Sequence, residues 1–144
     1  MDYYINANEQ LEGAEVLAAS EKYRLSITLL CLSGELFIKS LVEKKDPMNP
    51  LLDSHDIVGL GHLIRSDVDY QTLAPKLSFM RKYLNDSRYP YDTKIYTKKF
   101  YEEFLGYVQS IKEEVDRANE KKYDVERLSE KFGKDKVKDK KKKH

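Results

Sequence analysis

The stretch Ile27-Thr28-Leu29-Leu30-Cys31-Leu32-Ser33-Gly34-Glu35-Leu36-Phe37-Ile38-Lys39-Ser40-Leu41 decides the fold. Two apolar stripes run through and beside it at steps of three and four, Ile27–Cys31–Gly34–Ile38–Leu41 and Leu25–Leu29–Leu32–Leu36. That spacing is helical, and a helix apolar around most of its girth packs on several neighbours at once. A central helix is therefore predicted from about Glu21 or Lys22 to Lys45. Asp46-Pro47-Met48-Asn49-Pro50 ends it, because proline cannot continue the backbone ladder.

Outward from that helix the same periodicity recurs. A first helix fits Asp2 to about Ser20, with Ile5, Asn8, Leu11, Ala14 and Leu17 or Ala18 on one side. Asp53 or Ser54 can cap a short third helix through Ile57, Leu60 and Ile64, in which Gly59 and Gly61 permit close packing. A fourth spans roughly Tyr70 to Leu84, with Leu73, Leu77, Met80 and Leu84 inward. A fifth, from about Thr93 to Asn119, shows Phe100, Phe104, Tyr107 or Val108, Ile111 and Val115. No segment of useful length alternates apolar and polar residues as a strand does. Short connections make neighbouring helices antiparallel, so the expected fold class is all-α, an up-and-down bundle of four to five helices.

With 144 residues the chain has the length of one domain with a real core. The expected division is a bundle over 1–122 and a lysine-rich tail over 123–144. Tyr123, Val125, Leu128 and Phe132 keep a weak helical pattern, and from Gly133 there is little to bury, which predicts disorder. Residues 131–144 carry eight lysines against two aspartates, a net of +6, whereas the whole chain is only +1. The body is thus mildly acidic, and the tail reads either as a solubilising end or as a polycation adding sequence-independent affinity for RNA.

Against the acidic body stands one basic segment. From Arg81 to Lys99 there are six cations (Arg81, Lys82, Arg88, Lys94, Lys98, Lys99) against Asp86 and Asp92, a net of +4. Tyr83, Tyr89, Tyr91 and Tyr96 are interleaved with them. Aromatic faces mixed with cations suit nucleotides and single-stranded nucleic acid, where stacking and phosphate pairing act together; an ordinary helix–loop–helix corner has the same composition.

Other chemistries lack their residues. The glycines form no phosphate-binding loop, and there is no Gly-x-Ser-x-Gly elbow. His55, His62 and His144 make a poor metal set, Cys31 is the sole cysteine, and no metal or cofactor is expected. Glu102-Glu103 and Glu113-Glu114 look like solvated helix faces. No stretch approaches the roughly 18 apolar residues of a membrane span, and no secretory signal is visible. The expected setting is cytoplasmic, with no membrane partner.

Three blocks, in order, carry a resemblance. The central helix, with its small residue, Glu35, apolar residues and Lys39, is similar to the second helix of HEPN domains. His55-Asp56-Ile57 resembles that family's His-Asp-Leu at the next helix start. Ser87-Arg88-Tyr89-Pro90 resembles the Arg-Tyr-Pro of one branch of the family. The resemblance covers about residues 2–120. It implies a helical bundle that commonly pairs with a copy of itself, hence a homodimer. It also implies a place in RNA processing, toxin–antitoxin or antiphage systems, often beside a small nucleotidyltransferase.

What the resemblance implies of catalytic members is a metal-independent ribonuclease that uses an arginine, a polar residue and a histidine, with four to six residues between the arginine and the histidine. Counted from Arg88, the histidine would fall at about 93–95, where Thr93, Lys94 and Ile95 stand. Arginine stabilises phosphate charge but does not exchange protons near neutral pH, so the family's acid–base group is missing. The expectation is a non-catalytic binding module for nucleotide or single-stranded RNA. Arg88 would meet phosphate, Tyr89 or Tyr91 would stack, and Arg81, Lys94 and Lys98 would add positive field. His55 would line the same cleft or cap its own helix. Glu35 and Lys39 share a helix face and would support the site, with Glu35 holding Arg88 as the purely structural alternative. Two other readings stay open. One is an atypical ribonuclease completed by His55 or His62; the other is a protein-interaction partner of a nucleotidyltransferase.

Overall fold

The computed structural model describes the backbone over residues 2–85 and 96–143, and the side chains over 2–84 and 96–121. Five α-helices follow in order among the described residues: α1 (Tyr3–Ala19), α2 (Tyr23–Lys45), α3 (Ile57–Leu63), α4 (Tyr70–Asn85) and α5 (Lys98–Lys143). A 3-10 turn at Pro50–Asp53 precedes α3, and no strand is found among the described residues. The all-helical bundle predicted from periodicity is the fold.

Residue contacts fix the helix directions. Ser26 Oγ donates to the Ala14 carbonyl and Ser33 Oγ to the Ala7 carbonyl, so α1 runs antiparallel to α2. The Tyr23 and Tyr101 rings meet at one end, and Lys44 donates to Asn119 at the other, so α5 runs parallel to α2. Lys76 reaches Ser110 and Phe79 meets Phe104 and Tyr107, which sets α4 antiparallel to α5. The core is Ile27, Leu30, Phe37, Ile38, Leu73, Leu77, Met80, Phe104, Val108 and Ile111, each almost wholly buried.

Glycine permits close approach at two points. A Cβ on Gly34 would lie 3.0 Å from Met80 and 3.2 Å from Ile111, so α2 meets both α4 and α5 there. One on Gly61 would lie 2.3 Å from Leu77, which seats α3 on α4 as its spacing predicted. Gly59 has a different task, since its Cβ would collide with the Asp56 carboxylate at 2.5 Å.

Several sequence expectations are corrected. The α3 cap is Asp56, not Asp53 or Ser54: its side chain accepts from the Gly59 amide at 3.0 Å. Asn49 caps the preceding 3-10 turn. On α1 the buried face is Ala7, Leu11 and Ala14 with Tyr4 and Ala18 beside it, while Ile5 is exposed. Small alanines let α1 approach α2 closely, which outweighs burying one isoleucine. On α4, Tyr83 takes the inward position and Leu84 is exposed.

Helix α5 starts at Lys98 rather than near Thr93 and continues to Lys143 instead of ending near Asn119. Lysine and glutamate are good helix formers that lose little rotamer freedom in a helix. Among the described residues one helix, α2, is long and apolar enough to cross a membrane by composition, a point the count of consecutive apolar residues misses. Of its most apolar window, 78% is buried inside the bundle, as befits a core helix.

Candidate functional site

At the end of the bundle where α4 stops and α5 starts, an aromatic cluster ties the two helices together. Phe79, Tyr83, Phe100 and Phe104 have ring centroids 5.0–6.4 Å apart, mostly edge to face, the arrangement favoured by ring quadrupoles. Tyr83 Oη donates to Tyr96 Oη at 3.1 Å. Burial first, and then that bond, push the Tyr83 phenol far above its ordinary range, so it acts as a neutral, fixed ring. This cluster holds the two flanks of residues 86–95.

Around those flanks the exposed side chains are basic. Arg81 and Lys82 lie on the last turns of α4, Lys98 and Lys99 open α5, and Lys22 and Arg24 lie at the start of α2. Glu15, Glu21, Glu102 and Glu103 are the nearby acids; Glu102 lies 4.0 Å from Lys98 and Glu103 accepts from Tyr107. A shallow cleft of about 240 Å³ opens here, lined by Glu21, Lys22, Tyr23, Arg24, Leu25 and Tyr96. Lys82 and Lys99 belong to the basic segment read from the sequence, whereas sequence reasoning did not place Lys22, Tyr23 and Arg24 in the site. The only sequence sign was the triplet Lys22-Tyr23-Arg24 at a helix start, and only packing brings it beside Tyr96.

Of the predicted site residues, Arg81 and Lys98 stand at this end and both are exposed. Arg88, Tyr89, Tyr91 and Lys94 lie outside the described residues. His55, Glu35 and Lys39 form a second group about one turn further along α2 from Cys31. Lys39 Nζ lies 3.3 Å from Glu35 Oε2, and both side chains are only 6% exposed. His55 Nδ1 is 3.2 Å from each oxygen of the same carboxylate, while the His55 side chain is 84% exposed.

His55 therefore does not cap its own helix. A carboxylate accepts, so Nδ1 is the donor in this contact. The described partners of Glu35 are thus Lys39 and His55, and a buried carboxylate so paired is satisfied.

Cys31, one turn before Glu35, is inert. Burial, helped by the Glu35 charge, pushes its thiol up to about 12, so no thiolate forms near neutral pH. No group of three or more potential metal ligands occurs among the described residues. At the opposite end, Lys44, Lys45, Asp67 and Lys121 border a cleft of about 340 Å³. There Lys45 is held by Asp67 at 2.8 Å and Lys44 by Asn119.

Compared with known protein families, residues 1–123 match the HEPN domain, which covers the whole bundle. The chain belongs to the HEPN domain family. No curated protein and no solved structure gives a match. The family is associated with nucleotide- and RNA-related functions. In this HEPN chain, the Glu35–His55 contact joins the central helix to the start of α3, linking two of the blocks that carried the resemblance.

Proposed function

We propose that this HEPN domain is a binding module for a nucleotide or single-stranded RNA, held at the end of the bundle where α4 stops and α5 starts. One observation supports it above others: exposed cations from three helices, Lys22 and Arg24, Arg81 and Lys82, Lys98 and Lys99, converge there beside Tyr23 and Tyr96. Guanidinium and ammonium groups pair with phosphate, and tyrosine faces stack on bases. Arg88, Tyr89, Tyr91 and Lys94 belong by sequence to the segment that joins these flanks. A toxin–antitoxin or antiphage role belongs to the same reading.

The test is fluorescence anisotropy of a labelled single-stranded RNA titrated with the full chain, with Arg81→Ala and Arg88→Ala alongside. Each substitution is expected to weaken binding several-fold without changing the circular dichroism spectrum. Unchanged affinity in both variants would place the RNA elsewhere, or nowhere.

A second reading has its own observation. The buried Glu35 carboxylate orients, through Nδ1, an imidazole whose side chain is 84% exposed. That is the arrangement of a general base, and it favours an atypical metal-independent ribonuclease. Cleavage on a denaturing gel that disappears with His55→Ala would establish this reading; intact RNA would remove it.

A further inference from the structure

The last turn of α2 ends in two neighbouring lysines whose surroundings differ. Lys45 Nζ donates to the Asp67 carboxylate at 2.8 Å and to the Leu63 carbonyl at 3.2 Å. It ties the turn that follows α3 to the end of α2, and its charge is met. Lys44 Nζ donates to the side-chain oxygen of Asn119 on α5 at 2.5 Å. An amide is neutral, so that bond orients the Lys44 ammonium without offsetting its charge. On α5, Lys121 is exposed and makes no ion pair among the described residues.

These side chains rim the cleft of about 340 Å³ at this end of the bundle. Its floor is apolar, made by Leu41, only 6% exposed, and the half-buried Ala118. The lysine stems add methylene walls, and Ser66 lines the side formed by the turn after α3. Lysines in a last turn also offset the helix dipole, a task that needs no cleft. The apolar floor beneath them is what that task leaves unexplained. Concave, largely apolar sites of a few hundred Å³, with a few polar groups fixing orientation, are how small molecules are held.

Charge at the rim selects the ligand's sign. With Lys45 and Asp67 cancelling, Lys44 and Lys121 leave an excess of two positive charges. An adjoining cleft shares Lys44 and Asn119 and is acidic. There Asp116 accepts from Tyr4 at 2.6 Å and Asp2 from the Ile5 amide at 3.0 Å, which leaves Glu120 as the one acid not so engaged. The cationic side therefore keeps its sign. A bare inorganic anion would leave the floor unused, and a neutral hydrocarbon would leave the two ammonium groups unused.

We propose that this cleft binds a small carboxylic acid with an aliphatic body. Its carboxylate meets Lys44 and Lys121, and its chain lies on Leu41 and Ala118. The site is separate from the basic end of the bundle, because Lys44 and Arg24 stand about 30 Å apart along α2.

The test is a chemical-shift titration of the nitrogen-15-labelled full chain with hexanoate, with 1-hexanol and inorganic phosphate as comparisons. Hexanoate should saturate, with the largest shifts at the amides of Ser66, Ala118 and Asn119. Each comparison should bind about tenfold more weakly or worse, since each offers only half of the contacts. Lys44→Gln/Lys121→Gln should raise the hexanoate dissociation constant about tenfold, the worth of hydrogen bonds to a charged group.

Ala118→Leu keeps every charge and fills the floor, so it should abolish hexanoate binding. A thermal midpoint near that of wild type shows that a variant has folded. Three results would each overturn the proposal: no saturable shift with hexanoate, phosphate binding as tightly as hexanoate, or affinity unchanged in the double lysine variant. Ala118→Leu that folds and still binds hexanoate would also overturn it. Because the two ends share no lining residue, failure here leaves the RNA reading to its own experiment.

Discussion

Glu21 is the one non-glycine residue in the left-handed region among the described residues, with φ of 59°. It closes α1: its amide donates to the Ala18 carbonyl and the Lys22 amide to the Leu17 carbonyl, the double bond of a Schellman motif. Glycine is the usual occupant, because a Cβ there meets the following carbonyl. Glu21→Gly is accordingly expected to stabilise the fold by roughly 0.5–1 kcal/mol in urea melts, after the extra freedom of glycine in the unfolded chain is subtracted. Cys31 gives a second expectation. With its thiol pushed up to about 12, it should resist alkylation at pH 8 in the native state and react only as the bundle unfolds. Rapid labelling in native buffer would contradict the buried position. Glu35 and Lys39 were legible as neighbours from their spacing of four. The link from Glu35 to His55 was not, because twenty residues and a proline-bounded loop separate them and only the fold brings them to 3.2 Å.

At the scale of the helices, the strongest signals were the long 3.6-residue patterns, and these located all five elements. Faces and ends were read less well, for identifiable reasons. On α1 the expected face matches at Leu11, Ala14 and Ala18, but its first turns were one residue off, because Ala7 carries little hydrophobic weight and Ile5 outweighed it. The α4 cap was hard to single out in sequence because Ser66, Asp67 and Asp69 are all possible caps within four residues. The carboxylate of Asp69 accepts from both the amide and the hydroxyl of Thr72, and the Asp69 amide donates to Glu114 across the bundle. The Thr72 bonds hold the Asp69 carboxyl below its ordinary value. A group whose folded pKa is depressed adds stability above its unfolded pKa of about 3.9 and loses it as pH falls through the folded value. Asp69→Ala should therefore lower the unfolding midpoint at pH 7, and the difference from wild type should shrink towards zero in strong acid. A constant difference across that range would assign the effect to packing instead.

Across the whole molecule, charge is sorted by location. Carboxylates without cations occupy residues 2–21, and lysines accumulate at the C-terminal end. A third cluster, of mixed helix origin, gathers where α2 begins, α4 ends and α5 begins. The family and the bundle were legible because both depend on local pattern and on three ordered blocks. Of the candidate site, Arg81 and Lys98 were named from the sequence and lie at the basic end, whereas the nearness of Lys22, Tyr23 and Arg24 to Tyr96 depends on long-range packing that composition cannot encode.

Salt dependence of RNA binding tests the central claim most directly. The affinity of the full chain for a single-stranded RNA would be measured over a range of salt, with Arg81→Ala/Lys98→Ala compared with wild type. Removing a cation that pairs with one phosphate should reduce the slope of log affinity against log salt by about 0.7. The double variant should therefore show a clearly shallower slope and weaker binding at every salt. An unchanged slope would mean that the basic end of the bundle does not hold the RNA.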